Sequence, residues 1–274
     1  MPRTTHTTHQ VDRVERSRAA AVLPAVGRAG VEIALIAILY VGYVVSRTFA
    51  DTAFAPARGR ALDILTFEKS WRIDIESWLN QIFFDHQWIG VASSYWYATT
   101  HYFVTLGVLI WLYRRSRPLY VTARRALVGA SLIGLGFYLL MPTAPPRLVQ
   151  FGYHDILSLH SNIGWWSANG SAPKGMGDIT NDLAAFPSLH AGWSLWVAIV
   201  LIMAGVPKIV QLMGLAYAFT MSVVIIGTGN HWVVDAVVGW MVVLVAFGLV
   251  IAWERGRSFG APEADLVPGS ADPR

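Results

Sequence analysis

The sequence contains no cysteine, which excludes disulfide staples, thiolate zinc sites and a cysteine nucleophile together. Charge is also scarce. Asp, Glu, Lys and Arg make up 14% of the 274 residues, against about 25% in soluble domains, so an ordinary water-soluble globule is excluded. No internal repeat is present, which argues against the inverted halves of a transporter. What the chain has instead is apolar bulk, with 54% hydrophobic residues, and rings, with 12 Trp, 12 Phe and 10 Tyr. Such rings suit the water–lipid boundary. The formal charge of +4 comes from Lys and Arg clustered between apolar runs, which fits membrane topology and gives no reason to expect a nucleic-acid partner.

Windows long enough to cross about 30 Å of hydrocarbon fall at residues 31–49, 88–112, 120–141, 187–205, 209–228 and 232–253. The expected fold is therefore an all-α membrane protein, a six-transmembrane-helix bundle over 31–253. Residues 1–30 are polar and basic without an apolar period and read as a mostly disordered cytoplasmic tail. A signal peptide is the rival reading, but the apolar stretch that follows is long for a signal core and lacks an A-x-A cleavage site. Residues 254–274 form a second cytoplasmic tail. Within 51–87, mixed charge alternates with Leu62, Leu65, Trp71, Ile75, Trp78 and Leu79, predicting an interfacial amphipathic helical segment over about 56–87. Residues 142–186, rich in Gly, Pro, Ser and Asn, form a long outer loop between spans three and four, a length that usually means function or disorder.

With the N-terminus inside, fourteen Lys and Arg fall in the two tails, in 114–125 and at Lys208. Six fall outside, at Arg58, Arg60, Lys69, Arg72, Arg147 and Lys174, and Arg47 ends the first span. This asymmetry satisfies the positive-inside rule. It places the protein in a cell membrane as a multi-pass chain with both termini cytoplasmic, and the ends of spans four and six that carry the polar motifs face outward.

Those motifs carry the chemistry. His190 lies in Phe186-Pro187-Ser188-Leu189-His190-Ala191, where Pro and Ser open a helix whose free N–H groups make an anion site; a capped helix with an incidental His stays open. His231 and Asp235 are spaced i, i+4, which puts both on one helix face. There a carboxylate–imidazole hydrogen bond would fix the tautomer and leave the other nitrogen to attack. An Asp in an apolar run is expensive and rarely idle, although a structural pair closing a helix end is the plain alternative. Arg147 follows Ala144-Pro145-Pro146, a stiff approach that suits a guanidinium fork holding phosphate; an interfacial Arg anchoring to headgroups is the alternative. All three come from the outward ends of different spans and can converge on one pocket.

Ala-Pro-Pro-Arg147, Pro-Ser-Leu-His190-Ala and Gly-Asn-His231-Trp-Val-Val-Asp235, in this order over about residues 88–253, resemble the type 2 phosphatidic acid phosphatase superfamily, and within it the bacterial proteins related to inositol phosphorylceramide synthase. The resemblance implies a phosphohistidine on His231, orientation by Asp235 and protonation of the leaving oxygen by His190. It also implies no metal and no cofactor. Substrate phosphate is expected to be held by Arg147, Ser188, Asn230 and Lys174. The implied partners are a lipid phosphate or phosphodiester in the membrane and a polar alcohol acceptor such as inositol or a sugar. The favoured activity is an inositol-phosphate-type transferase. Alternatives are a lipid phosphate phosphatase, a proton-coupled transporter or an inactive scaffold. Where the phosphatase pattern has Lys-x6-Arg-Pro, Pro-Ser-Gly-His and Ser-Arg, this chain has no such Lys, Leu189 for Gly, and Val224-Ile225. Lys174, Arg58 or Arg60 are candidates to replace the missing cations.

Other residues carry less. His101 reads as a core or cavity-lining histidine. His154, Asp155, His160, Asp178 and Asp182 match no metal-ligand spacing, and His6 and His9 belong to the tail. Gly129, Ala130, Gly134 and Gly136 are expected to allow close helix contact.

Overall fold

The computed structural model describes residues 30–46, 48, 54–149, 152–167, 174 and 181–259; residues 1–29 and 260–274, Arg47, most of 168–180 and Asp178 with it lie outside the described residues, and the first six residues of the expected C-terminal tail continue the last helix. Ten helices cover most of what is described. They are α1 (Gly30–Ser46), α2 (Phe54–Trp71), α3 (Glu76–Asp85), α4 (Gln87–Arg115), α5 (Arg117–Leu140), α6 (Pro146–Val149), α7 (Ile156–Leu159), α8 (Leu189–Met203), α9 (Lys208–Gly227) and α10 (Val233–Phe259). No strand occurs among the described residues beyond a single parallel bridge between Thr143 and Ala184.

Among the described residues, three helices are both long and apolar enough to cross a membrane: α5, α9 and α10 over Val233–Arg257. Helices α1 and α8 are apolar but shorter. Helix α4 is 29 residues long, but Ser93, Ser94, Thr99, Thr100, His101 and Thr105 interrupt it and dilute its hydropathy. The six predicted windows each coincide with a helix, whereas three meet the length and hydropathy needed to span.

Small residues set the packing of the bundle, as close approach requires where no hydrophobic force drives helices together. A Cβ on Gly214 of α9 would lie 2.9 Å from Leu201 and 3.2 Å from the Ala198 backbone of α8, and one on Gly239 of α10 would overlap the Ser188 carbonyl. Gly134 of α5 receives the Leu189 side chain, which a Cβ would approach to 2.7 Å. Leucine at the position where the phosphatase pattern has glycine is thus accommodated by a glycine on the neighbouring helix. Gly129 meets Ala246 at ordinary distance and Gly136 faces open space, so only part of that stripe does what the sequence suggests.

The segment 56–87 is two helices. Arg72, with φ 56°, takes the left-handed position that usually holds glycine, and the Ile73 N–H bonds back to the Glu68 carbonyl at 3.0 Å, ending α2 as a Schellman turn does. Trp71 and Trp78 are exposed, at 68% and 65%, as an interfacial role requires. The face of α2 that is buried in the protein consists of Ala57, Ala61 and Glu68, with Leu62 and Leu65 partly buried beside it. The alanines pack with Ala144, Val149, Leu183 and Trp232, and Ala144 N donates to the Ala57 carbonyl at 3.2 Å. Helices α2 and α3 therefore form a plate that ties the outer loop to the start of α10.

Candidate active site

Ser188 ends an extended approach and caps α8: its Oγ accepts from Ala191 N at 3.3 Å, while its own N–H donates to the Asp235 carbonyl at 2.9 Å. The hydroxyl is fully buried and does not line the cavity described below, so its hydrogen bonding goes to the cap, apart from the phosphate contact that the sequence suggests. Two residues on, His190 points inward, stacks on Tyr97 at 4.4 Å between centroids and 24°, and lies 5.7 Å from His231. His101 packs against the other side of His190 at 4.2 Å.

His231 sits in the turn between α9 and α10. Gly229 in that turn has φ +76°, and a Cβ there would stand 2.9 Å from the His154 carbonyl, so conformation and space both demand glycine. The His231 Nδ1 lies 2.8 Å from the Ala185 carbonyl and 3.4 Å from Asp235 Oδ2. A carbonyl only accepts, so Nδ1 carries the proton and Nε2 keeps its lone pair. The close partner that fixes this tautomer is the Ala185 carbonyl, with Asp235 farther off. Asp235 Oδ2 is itself committed to the Trp232 N–H at 2.8 Å.

Two further carboxylates complete the start of α10. Glu76 Oε1 accepts from Val233 N at 2.9 Å and Glu68 Oε1 from Val234 N at 2.8 Å. A helix start leaves its first N–H groups without intrahelical partners, and here three consecutive ones are each met by a fully buried carboxyl group. Burial, and then the neighbouring Glu76, push Glu68 up to about 9, and burial pushes Glu76 up as well.

Arg147 enters from α6, its N–H donating to the Gly229 carbonyl at 2.9 Å. Its guanidinium reaches Asn230 Oδ1 at 3.0 Å, Asp155 Oδ2 at 3.1 Å and Asp182 Oδ1 at 2.8 Å. Burial works against this charge, but Asp155 and Asp182 outweigh it and hold the group above its usual value. Asn230 accepts from Arg147 and donates through Nδ2 to Thr228 Oγ1 at 3.0 Å, so it orients the guanidinium.

These groups open on one cavity of about 560 Å³. Arg147, Asn230, Asp182, His190 and His231 line its polar part. Ile36, Leu39, Leu135 and Trp193 line the apolar remainder, with α1 as one wall. Arg147 is the one Lys or Arg among the described lining residues. Lys174 is exposed and outside the lining, as is Arg58; Arg60 donates from Nε to the Pro142 carbonyl at 2.7 Å.

Of the loop residues, Asp155 and Asp182 join the site as partners of Arg147. His154 stacks on Phe84 at 3.7 Å, and His160 lies against the Ile156 carbonyl at 2.9 Å. No group of three or more His, Asp or Glu suited to a metal occurs among the described residues. Sequence reasoning misses Glu68, Glu76 and the pairing of Arg147 with the two aspartates. No periodic spacing signals these: Asp155 and Asp182 lie 8 and 35 residues from Arg147, and Glu76 and Glu68 lie 157 and 166 residues from the N–H groups they meet.

A family model described as the PAP2 superfamily matches residues 62–249. No curated protein and no solved structure matches the chain significantly.

Proposed function

The chain belongs to the PAP2 superfamily, whose members are lipid-type phosphatases and phosphotransferases, and from that premise we propose that it transfers a phosphoryl group from a membrane lipid through a phosphohistidine on His231, with inositol or a similar polyol as the favoured acceptor. The observation that carries this is the shared cavity: a buried and a half-buried imidazole, His231 and His190, with ring centroids 5.7 Å apart, the first with Nδ1 bonded to a carbonyl, lie beside the largely covered guanidinium of Arg147 in a hollow whose other part is apolar. A phosphate on a hydrocarbon chain meets both halves of that lining.

In the first step the Nε2 lone pair of His231 attacks phosphorus in line. The bond from phosphorus to the leaving oxygen breaks, and His190, entering protonated, gives its proton to that oxygen. In the second step the acceptor hydroxyl attacks phosphorus, His190 takes its proton, and the N–P bond breaks, which regenerates both rings. Arg147 and the N–H groups at the start of α8 carry the phosphoryl charge, the main requirement of such a transfer. Asp155 and Asp182 occupy the Arg147 fork, and an incoming phosphate takes their place; Asp182, with a 41% exposed side chain, is the one free to turn away. Carboxylates and the Asn181 amide then offer acceptors for polyol hydroxyls, which favours an alcohol over water.

The reading includes six membrane crossings, with the site on the extracytoplasmic side and both termini cytoplasmic. In its support, α8 and α10 begin, and α5 ends, at the site, while Arg117, Arg125, Arg255 and Arg257 lie at the other ends of α5 and α10. The scheme uses no metal. Purified protein with radiolabelled lipid phosphate, with and without inositol, tests it. A labelled histidine in the wild type but not in His231→Ala, product carrying the acceptor, and turnover that survives a chelator are the expected results. Turnover unaffected by His231→Ala would sink the nucleophile, and release of inorganic phosphate alone would make the protein a phosphatase.

A further inference from the structure

The plate formed by α2 and α3 covers the start of α10, and the two glutamates that it contributes have no evident place in the two-step scheme. Glu68 and Glu76 have no exposed surface, and neither forms an ion pair with Lys or Arg among the described residues. Each uses Oε1 to accept an N–H of α10, while each Oε2 is buried without a donor. The charged and titratable groups facing them are Asp74 from the α2–α3 turn, Asp235 from α10 and Tyr153 from the outer loop, none of them cationic. A helix N-terminus offers about half a positive charge. That is too little for three ionised carboxylates on three successive N–H groups.

We propose that Glu68 and Glu76 hold one proton between them, and that this acid–carboxylate pair is a positioning clamp that fixes the start of α10 and thereby the His231 turn. With a proton on Glu68, each carboxyl still accepts its backbone N–H, and the extra hydrogen gives the otherwise unmatched oxygens a hydrogen bond to each other, a contact within reach of the two groups. The turn follows the helix start directly: Trp232, Val233 and Val234 are held by Asp235, Glu76 and Glu68 in that order, and His231 is the residue before them. The clamp's catalytic meaning rests on the proposed role of His231; its existence as a proton-sharing pair does not.

The direction of the pH effect follows from the raised values. Folding keeps a proton on a group that in the unfolded chain has lost it above its ordinary 4.5, so the contribution is complete below that pH. It declines as pH rises and is gone once pH passes about 9. Beyond that point two adjacent buried carboxylates repel each other and the helix start loosens.

The test uses the full chain in lipid nanodiscs, with melting temperature and turnover recorded from pH 6 to 10.5 for wild type, E68Q, E76Q, the double E68A/E76A and H231A. Wild type is expected to lose melting temperature steadily from pH 6 and to level off past about 9, with kcat falling through about 9, both reversibly. E68Q supplies an amide N–H in place of the shared proton, and is expected to fold and to flatten that alkaline fall. E68A/E76A is expected to lower kcat by roughly tenfold or more with KM nearly unchanged, the pattern of a misplaced nucleophile. H231A is expected to lose turnover but keep the wild-type alkaline fall in melting temperature. If E68Q and E76Q do not fold, the infrared band of a protonated carboxyl in wild type at pH 7, and its loss near pH 9, decides in their place. Identical alkaline profiles for wild type and E68Q, or the absence of that band, would overturn the proposal. A wild type without turnover but with the alkaline fall removed by E68Q would refute the proposed reaction and leave the clamp standing.

Discussion

The two histidines of the site stand at two helix starts that solve the same problem with opposite means. The start of α8 is held by one neutral hydroxyl from its own chain segment, Ser188 on Ala191 N. The start of α10 is held by three carboxyl groups, two of them from α2 and α3, far away in sequence. The first arrangement is local and its energy is that of one cap. The second binds distant elements together and places acidic groups where there is no water. Leaving any one of the N–H groups unmet there costs the full desolvation of a buried donor. The difference teaches that His190, the proposed general acid, rides on an ordinary helix while His231, the proposed nucleophile, is set by tertiary structure.

Substitutions break or sharpen this contrast, beginning with the strongest. Loss of the nucleophile in His231→Ala should reduce turnover by about 10³-fold or more, measured in nanodiscs with labelled lipid phosphate, with the fold retained by circular dichroism. His190→Ala should reduce it by about 10²- to 10⁴-fold. The loss should shrink with a substrate whose leaving group is already acidic, since such a group needs no proton; an equal loss with both substrates would remove the acid role from His190. Asp235→Asn keeps an oxygen for the Trp232 N–H while removing the charge near the imidazolium. Because the Ala185 carbonyl is the closer partner of Nδ1, kcat should fall less than for either histidine, by roughly 10- to 100-fold. Ser188→Ala is the mildest. Removing one local cap should lower stability by about 1 kcal/mol, read as a small fall in melting temperature, with a much smaller change in kcat than E68A/E76A. A larger effect for Ser188→Ala than for E68A/E76A would reverse the comparison between the two helix starts.

The remote ends of α5 and α10 form a further contrast. There Arg125 pairs with Glu254 at 2.8 Å and stacks over Trp253, and Arg117 lies over Tyr113 and Tyr120. The Arg125 pair is half-exposed, of the kind that water and headgroups screen, and worth about 1 kcal/mol or less, whereas Arg117 has a buried Nη1 and packs on the buried ring of Tyr120. At the site end the Arg147 guanidinium is largely covered, and each of its nitrogens meets a named partner.

What the sequence determined by itself follows from short-range physics. Hydrophobic length fixed where α5, α9 and α10 lie, because a lipid-facing helix must be apolar over its span. The Pro-Ser start before His190, the four-residue spacing of His231 and Asp235, and the arrival of Arg147 after two prolines are local patterns, and the structure gathers His190, His231 and Arg147 around one cavity. Only the tertiary structure decided what those residues touch. It gave the Nδ1 contact of His231 to the Ala185 carbonyl, set Asp155 and Asp182 in the Arg147 fork, turned Ser188 to capping, left Lys174 outside the cavity lining, and brought Glu68 and Glu76 from an amphipathic stretch onto the start of α10. Hydrogen bonds between residues separated by 8 to 166 positions leave no periodicity in the chain. Their partners are selected by burial, which removes water and makes every unmatched polar group expensive.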